Sequence, residues 1–305
     1  MTVISLTTDF GLQDEYVGVM KAVILSAAPD TRIVDLCHGI EPQSVVQAAF
    51  MIATAYRYFP PGTLHLLVVD PGVGGARRII YADADGHRFL CPDNGLLTGI
   101  ARSCGLTRVY AVTNRRLFNP HPSATFHGRD IMAPVAAFIV RGGDVLRLGD
   151  EMHSAGIVHL NADEPRVGPD GGLRGQIVSI DRFGSLVTDI GVDLLGAMLA
   201  DNPKQRFRID AGWDLTTHLH DAYEEASPGA ALAIIGSRQT LEIAVNRGRA
   251  SDTFPAAIGR GVTVRRLADT VRPERAVMLN EGHRATLATD PAGQTVGTRG
   301  LPRKE

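Results

Sequence analysis

Cysteine, net charge and long apolar stretches are all scarce in this sequence, and each scarcity excludes a class of protein. Only three cysteines occur in 305 residues, too few and too widely spaced for a disulfide framework or a zinc site. A net charge of −2 gives no basic surface for nucleic acid or for an anionic membrane. No apolar run approaches the roughly 20 residues of a membrane span, and the N-terminus lacks the basic and cleavage regions of a signal peptide. We therefore expect a cytoplasmic protein without a nucleic-acid or membrane partner.

The first half of the chain alternates strand-like with helix-like segments. The strand-like runs include Val3–Thr7, Thr31–Leu36 and Thr63–Val69, and the helix-like runs include Asp14–Ala27, Ser44–Phe59 and Ile131–Val140. Asp85-Gly86, between two further apolar runs, is typical of a β-hairpin turn. The alternation predicts an α/β domain over residues 1–162 with a largely parallel, doubly wound sheet.

The composition changes at residues 161–174, which are rich in Gly, Pro and charge. We interpret this segment as a linker between two domains, a number that also suits the length of the chain. Beyond it, short strand-like runs follow one another with few helical patterns, and they predict a smaller all-β barrel domain over residues 175–275. Residues 276–305 show little apolar periodicity, so we expect a mobile tail there.

The stretch Val68–Arg78 places an acid, a glycine-rich turn and two arginines directly after a strand-like run. It lacks the GK[ST] ending of a phosphate-binding loop, so a phosphate site is not indicated. Its glycines allow the chain to double back and bring Arg77 near Asp70. Arg78 is the neighbouring alternative, and a strand end followed by a solvated arginine pair explains the same residues without a function.

Asp9, like Asp70, follows a strand of the predicted parallel sheet. Ligands of such sheets bind at the carboxyl ends of the strands, where Asp9 is placed to accept hydrogen bonds from a ribose diol. The alternative is an Asx turn or a helix cap. His127, beside a glycine in FHGRD, is a further candidate for a functional residue, although single histidines usually have a structural role. His218 and His220 share one face of a strand, but nothing nearby completes a metal site, and we expect none.

Six sequence blocks occur in a fixed order along residues 3–250: TDFGLQDEYVG (8–18), VDPGVGGARR (69–78), PDNGLLT (92–98), FHGRD (126–130), IDRFGSLVTDI (180–190) and GSRQTLEIAVN (236–246). Together they resemble the S-adenosyl-L-methionine hydroxide adenosyltransferase family, relatives of the fluorinase and chlorinase enzymes. The resemblance implies an N-terminal α/β domain and a C-terminal β-barrel. It also implies a homotrimer that holds S-adenosyl-L-methionine between one subunit's N-terminal domain and a neighbour's C-terminal domain.

The resemblance further implies that Asp70, Arg77 and His127 form a catalytic set. Attack on the 5′ carbon of the adenosyl group expels neutral methionine from a sulfonium, so the leaving group needs no proton. A carboxylate and an imidazole aimed at one water can orient and deprotonate it, while the arginine keeps the carboxylate ionised. The halogenating relatives lack this set, so the sequence favours water or hydroxide over halide.

For substrate binding, the resemblance implies a group of residues for each part of the ligand. Asp9 matches the ribose-binding position, Asp14 and Asp181 the methionine ammonium, Ser237 and Arg238 its carboxylate, and Phe183, Ser185 and Asn246 the adenine. Without the other blocks, residues 181–184 would indicate only a hairpin corner, and Asn246 only a turn. The family usually has asparagine in place of Ser185 and an aromatic-Asp pair in place of Gln43-Ser44, and Arg238 follows Ser237 as in the halogenating branch.

The sequence thus predicts an enzyme that hydrolyses S-adenosyl-L-methionine to adenosine and L-methionine, without a metal or a redox cofactor. Halide-dependent synthesis of 5′-halo-5′-deoxyadenosine is the alternative within this class. A non-catalytic protein that binds S-adenosyl-L-methionine or adenosine is the alternative from another class, and the departures at Ser185 and Gln43 leave it open.

Overall fold

Six strands form the sheet of the N-terminal half: Val3–Thr8 (β1), Arg32–Cys37 (β2), Leu64–Val68 (β3), Ile79–Ala84 (β4), His87–Pro92 (β5) and Arg108–Ala111 (β6). They are arranged in the order β2-β1-β3-β5-β4-β6 in a computed structural model that describes residues 2–161 and 164–267. Only β4 runs against the other five strands, as half of the hairpin that Asp85-Gly86 predicted. The sheet is therefore mixed but largely parallel.

Helices cover both faces of this sheet, as a doubly wound domain requires. They are Tyr16–Ala27 (α1), Val45–Ala55 (α2), Thr98–Cys104 (α3) and Ala133–Val140 (α4). Helices α1 and α4 share one apolar core with Leu66 of β3, whereas α2 and α3 share a second core with Leu67. Successive side chains of a strand point to opposite faces, so the run of consecutive apolar residues in β3 is buried on both sides. Helix α2 begins where Ser44 accepts a hydrogen bond from the backbone of Gln47.

Within residues 164–267, nine strands form a second sheet: Arg166–Val167 (β7), Leu173–Ile180 (β8), Leu186–Gly191 (β9), Phe207–Asp210 (β10), Asp214–Thr217 (β11), Leu219–His220 (β12), Ala231–Ile235 (β13), Thr240–Val245 (β14) and Gly261–Arg266 (β15). Eight of them follow the order β11-β10-β15-β8-β9-β14-β13-β12, and β7 pairs with β8. The sheet bends around one apolar core into a nearly closed, barrel-like form. Two helices accompany it, Val192–Leu199 (α5) and Ala250–Thr253 (α6).

The segment interpreted as a linker contains part of this second sheet. Strand β7 pairs with β8, and Gly168 and Gly172 close the turn between them with a hydrogen bond of 2.7 Å. The Gly- and Pro-rich composition therefore reflects a hairpin turn as well as a connection. Helix α2 packs on β8, and Gln47 donates to Ser179 across 3.2 Å, so the two halves contact each other. The exact domain limits stay a prediction, and the expected tail at 276–305 lies outside the described residues.

Two further expectations concern membrane-spanning segments and the pairing of cysteines. No helix in the described part of the chain is both long and apolar enough to cross a membrane. Cys37, Cys91 and Cys104 are free thiols, and burial raises the pKa of the Cys91 thiol well above its ordinary value.

A buried histidine pair crosses the N-terminal sheet. The Oγ of Ser5 lies 2.6 Å from Nδ1 of His65, whose Nε2 lies 3.1 Å from Nδ1 of His87. Both histidines are buried. Burial lowers the pKa of His65 from 6.5 to about 3, and it lowers the pKa of His87 as well.

Stability should therefore fall in mild acid. The unfolded chain protonates His65 near pH 6.5, whereas the folded protein resists until about pH 3. Across that window the unfolded state binds more protons, so the free energy of unfolding should drop by up to about 1.4 kcal/mol per pH unit for this group. Urea titrations from pH 7.5 to 4.5 should show a steeper loss for the wild type than for His65→Gln. Parallel losses would contradict the assignment.

Candidate active site

The glycine-rich turn after β3 folds Arg77 back onto Asp70. The backbone N–H of Val73 donates to the carbonyl of Asp70 across 3.1 Å and closes the first tight turn. Gly74 has a φ of +78°, and a Cβ there would collide with the carbonyl oxygen of Ala124. Glycine at this position therefore serves both the turn and its close contact with the chain segment ahead of FHGRD.

Arg77 joins Asp70 to His127. Its Nε donates to both carboxylate oxygens of Asp70 at 2.9 Å, and its Nη2 also donates to Oδ2. The same Nη2 donates to Nδ1 of His127 across 2.8 Å. The side chains of Asp70 and Arg77 are only 5% and 12% exposed, and His127 is half-buried, so the predicted catalytic set is assembled within one chain.

This contact determines which ring nitrogen of neutral His127 carries the proton. A guanidinium can only donate hydrogen bonds, so Nδ1 of the imidazole accepts and the proton of the neutral ring is on Nε2. Burial and the charge of Arg77 lower the pKa of His127 below 6.5, against the smaller influence of Asp70 and Asp130. The imidazole is therefore a neutral donor near pH 7.

Arg78, the alternative to Arg77, has a different partner. Its Nε and Nη2 donate to Oδ2 of Asp93 across 2.9 and 2.5 Å, and Nη2 also donates to the carbonyl of Gly156 across 2.8 Å. Because Asp93 is buried, this pair anchors the chain around Gly156 to the sheet. The geometry thus agrees with the choice of Arg77.

A second ion pair holds the FHGRD loop. Arg129 forms a two-pronged contact with its neighbour Asp130, which also accepts from the side chain of Asn119 and the backbone of Ser123. These contacts, with Arg129 first, lower the pKa of Asp130 to about 2 despite its burial. The loop that carries His127 is thereby tied to residues ahead of it. The sequence motif pointed to His127 alone and missed this support.

Asp9 lies at the carboxyl end of β1, as expected. Its Oδ2 accepts from the backbone N–H of Gln43 across 2.8 Å, where Gln43 has a φ of 68°. Because the backbone makes this contact, it survives the replacement of the usual aromatic residue by glutamine. His38, which sequence reasoning missed, lies with Nδ1 2.9 Å from Oγ1 of Thr8 and fixes the residue before Asp9.

An aromatic cluster connects the N-terminal site residues. The rings of Phe10, Tyr16 and Phe126 lie 5.3–5.8 Å apart, edge to face or tilted. They join the loop after Asp9, the start of α1 and the FHGRD loop. Asp14 is exposed and lies two residues ahead of Tyr16, where α1 begins.

The six predicted binding residues of the C-terminal half line one cavity of about 850 Å³. They are Asp181, Phe183, Ser185, Ser237, Arg238 and Asn246. Glu242 and Tyr223 also line it. The sequence gives no sign of Glu242, because an acid within an apolar strand run resembles the solvent-facing side of that strand. None of Asp70, Arg77 and His127 is among the residues that line this cavity.

Asp181 and Asn246 both have a local structural contact. Oδ1 of Asp181 accepts from the backbone N–H groups of Phe183 and Ser185 at 2.9 and 2.8 Å, and so forms the β8–β9 hairpin corner. The side-chain amide of Asn246 donates to the carbonyl of Ala226 across 2.7 Å. Asp181 thus has the hairpin-corner role, and Asn246 the local backbone contact, that the sequence alone would indicate. Both side chains nevertheless line the cavity.

His218 and His220 stack with ring centroids 4.1 Å apart. Nδ1 of His220 lies 3.1 Å from the carbonyl oxygen of His218. In the part of the chain that the structure describes, no group of three or more His, Cys, Asp or Glu side chains is placed to hold a metal ion.

Several proteins are similar to this chain over most of their length. It is 36% identical to the (R)-S-adenosyl-L-methionine hydrolase of Salinispora tropica, covering 84% of this chain and 95% of that protein. The enzyme of the same name from Thermus thermophilus is 33% identical, with 85% and 97% covered. A fluorinase of Nocardia brasiliensis is 28% identical, with 86% and 95% covered. An uncharacterised conserved protein from Thermotoga maritima superposes with a TM-score of 0.79 at 36% identity, over 86% of this chain and 99% of that one.

Two family descriptions match most of the chain between them. Residues 4–149 match the SAM hydroxide adenosyltransferase N-terminal domain, and residues 175–263 match the C-terminal domain of the same family. The matches coincide with the two sheets and agree with a two-domain enzyme. The chain therefore belongs to the S-adenosyl-L-methionine hydroxide adenosyltransferase family.

Proposed function

We propose that this protein hydrolyses S-adenosyl-L-methionine to adenosine and L-methionine. The observation that carries the proposal is the bridge that Arg77 makes between Asp70 and His127. The relatives named (R)-S-adenosyl-L-methionine hydrolase support the substrate, and their names favour the R epimer at sulfur. The fluorinases, at 27–28% identity, are the less similar group.

Water attacks the 5′ carbon of the ribose in this proposal. The new C–O bond forms as the C–S bond breaks. The electron pair of the C–S bond stays on sulfur and neutralises the sulfonium, so that methionine leaves as a neutral thioether. The leaving group needs neither a proton nor a metal ion. The protein therefore has to orient one water in line with the sulfur and accept a proton from it.

Asp70 and His127 divide this task. Asp70 accepts the proton of the water, because a carboxylate keeps acceptor sites beyond those that Arg77 occupies. His127 donates from Nε2 to the water oxygen and orients it. This differs from the expectation that the imidazole also removes the proton, since Arg77 occupies the other ring nitrogen.

The substrate lies between subunits in this proposal. Asp9 binds the ribose and Asp14 approaches the ammonium from one subunit, while the C-terminal cavity of a neighbour receives the adenine and the methionine. Asp9 and Asp14 belong to the N-terminal half, near the aromatic cluster, whereas the other binding residues line the C-terminal cavity. This separation within one chain supports a site that a second copy completes. A homotrimer closes such head-to-tail contacts.

We also propose that the protein acts in the cytoplasm. The three free cysteines support this, because an odd number of unpaired thiols suits a reducing compartment.

The function is tested by product analysis. The protein is incubated with each sulfonium epimer of S-adenosyl-L-methionine, with and without chloride or fluoride, and after dialysis against a chelator. Chromatography should show adenosine and methionine in equal amounts, independent of halide and chelator. A halogenated nucleoside would instead identify a halogenase, and bound but unchanged substrate would identify a sensor.

The assembly predicts complementation between two inactive variants. Asp9→Ala spoils the contribution of one subunit to a shared site, and Asn246→Ala spoils that of its neighbour. After random exchange of equal amounts, about a quarter of the sites in a ring should combine two intact halves. Activity should return to that extent once native mass spectrometry confirms mixed oligomers. No recovery in confirmed mixtures would mean that each chain completes its own site.

A further inference from the structure

Glu242 is a buried carboxylate in the C-terminal cavity that the mechanism above does not use. It lies on β14, opposite Val187 of β9 and Ile234 of β13, and only 6% of it is exposed. Its carboxylate occupies the space that a Cβ at Gly236 would fill. The backbone of Gly236 is not in the left-handed region, so this glycine serves to make room for Glu242.

The protein does not balance the charge of Glu242. Burial and the charge of Asp181 raise the pKa of this carboxyl, and the charge of Arg238 and the hydroxyl of Tyr223 oppose them only in part. Within residues 2–161 and 164–267, Glu242 takes part in no ion pair. A buried carboxylate without a counter-ion costs stability. Such a cost is typical of sites where a ligand supplies the missing charge.

The cavity presents both signs of charge to a ligand. Ser237 and Arg238, between β13 and β14, suit an anion, whereas Asp181 and Glu242 suit a cation. One oxygen of Asp181 already holds the hairpin corner through two backbone N–H groups. Asp181 therefore has only one carboxylate oxygen free to accept hydrogen bonds from a cation, and Glu242 supplies further acceptor oxygens and a second negative charge.

We propose that Glu242 binds the α-ammonium group of the ligand and makes the cavity selective for a zwitterionic amino-acid end. An α-amino acid carries its ammonium and carboxylate on one carbon, which matches acids and an arginine lining a single cavity. The inference rests on the proposed substrate, whose methionine part is such a group. Glu242 then acts in recognition, at a distance from the carbon that reacts.

Calorimetric titration of three ligands tests this role. They are S-adenosyl-L-methionine, adenosine, and deamino-S-adenosylmethionine, in which hydrogen replaces the ammonium. An Asp70→Asn background keeps the ligands intact during the titration. Glu242→Gln in this background should raise the Kd of S-adenosyl-L-methionine about tenfold or more and change the other two values less than twofold. Glu224→Gln, at an exposed carboxylate of the same domain, is the matched control and should change none.

Thermal unfolding separates recognition from a structural role. Because burial raises the pKa of the folded Glu242 carboxyl, its charge destabilises the fold at pH 7.5, and Glu242→Gln should be at least as stable as its parent. Equal weakening of all three ligands together with a lower Tm would overturn the inference in favour of a structural role. An unchanged Kd for S-adenosyl-L-methionine would overturn the inference alone. No binding of this ligand by the parent protein would overturn the proposed function as well.

Discussion

Replacing Asp70 by asparagine is expected to lower the turnover of S-adenosyl-L-methionine at least about 100-fold, because the amide cannot accept the proton of the attacking water. The shape of the side chain stays the same, and one oxygen remains to accept from Arg77. His127→Ala should have an effect of similar size, since it removes the donor that orients the water. Initial rates of adenosine formation at saturating substrate, measured by chromatography, check both variants.

Adenosine binding is the control for these two variants. The residues proposed to contact adenosine lie elsewhere, so its Kd should change less than threefold if the fold is intact. The pH profile of the wild type adds a second check. Burial and Arg77 lower the pKa of His127, so any loss of turnover caused by protonation of this ring should have its midpoint below pH 6.5. Near-wild-type turnover in either variant would remove that residue from the mechanism.

Substitution of Arg77 should produce a graded loss of turnover. Lysine keeps the positive charge but cannot span Asp70 and His127 with a planar fork, so Arg77→Lys should lose about tenfold. Arg77→Ala should lose about 100-fold or more, because it leaves Asp70 without its counter-charge and frees Nδ1 of His127.

Arg78 provides the matched control for this series. It is adjacent in sequence and pairs with a different carboxylate, Asp93. Arg78→Ala should lower Tm, because the buried carboxylate of Asp93 is left without its counter-ion, yet it should retain most of its turnover. If the two alanine variants lost turnover equally, the loss would reflect damage to the turn and not the bridge from Asp70 to His127.

The elements that the sequence predicted well are those whose signal is local. β3 consists of consecutive apolar residues and is buried on both faces, and Asp85-Gly86 directly marks the hairpin of β4 and β5. Strand β15 has a weak local signal, because only Val262 and Val264 are apolar within it. Its identity comes from pairing with β8 and β10, far away in the chain.

The same distinction explains the site. The return of Arg77 to Asp70 is a short-range event that three glycines indicate, whereas its contact with His127 joins residues 50 positions apart. The tautomer of the imidazole follows only from that contact. Glu242 carries no local signal, since its burial depends on Gly236 and on strands from elsewhere in the barrel. The resemblance to a family supplied residue roles, but it left out Glu242 and His38.

Hydrolysis in water enriched in oxygen-18 tests the central claim most directly. If water attacks the 5′ carbon, each adenosine formed in a single turnover should carry one heavy oxygen in its 5′-hydroxyl group, and the methionine should carry none. Mass spectrometry of both products measures this, with Asp70→Asn as the blank for uncatalysed breakdown. Adenosine without the label, or a halogenated nucleoside in its place, would contradict a water molecule activated by Asp70, Arg77 and His127.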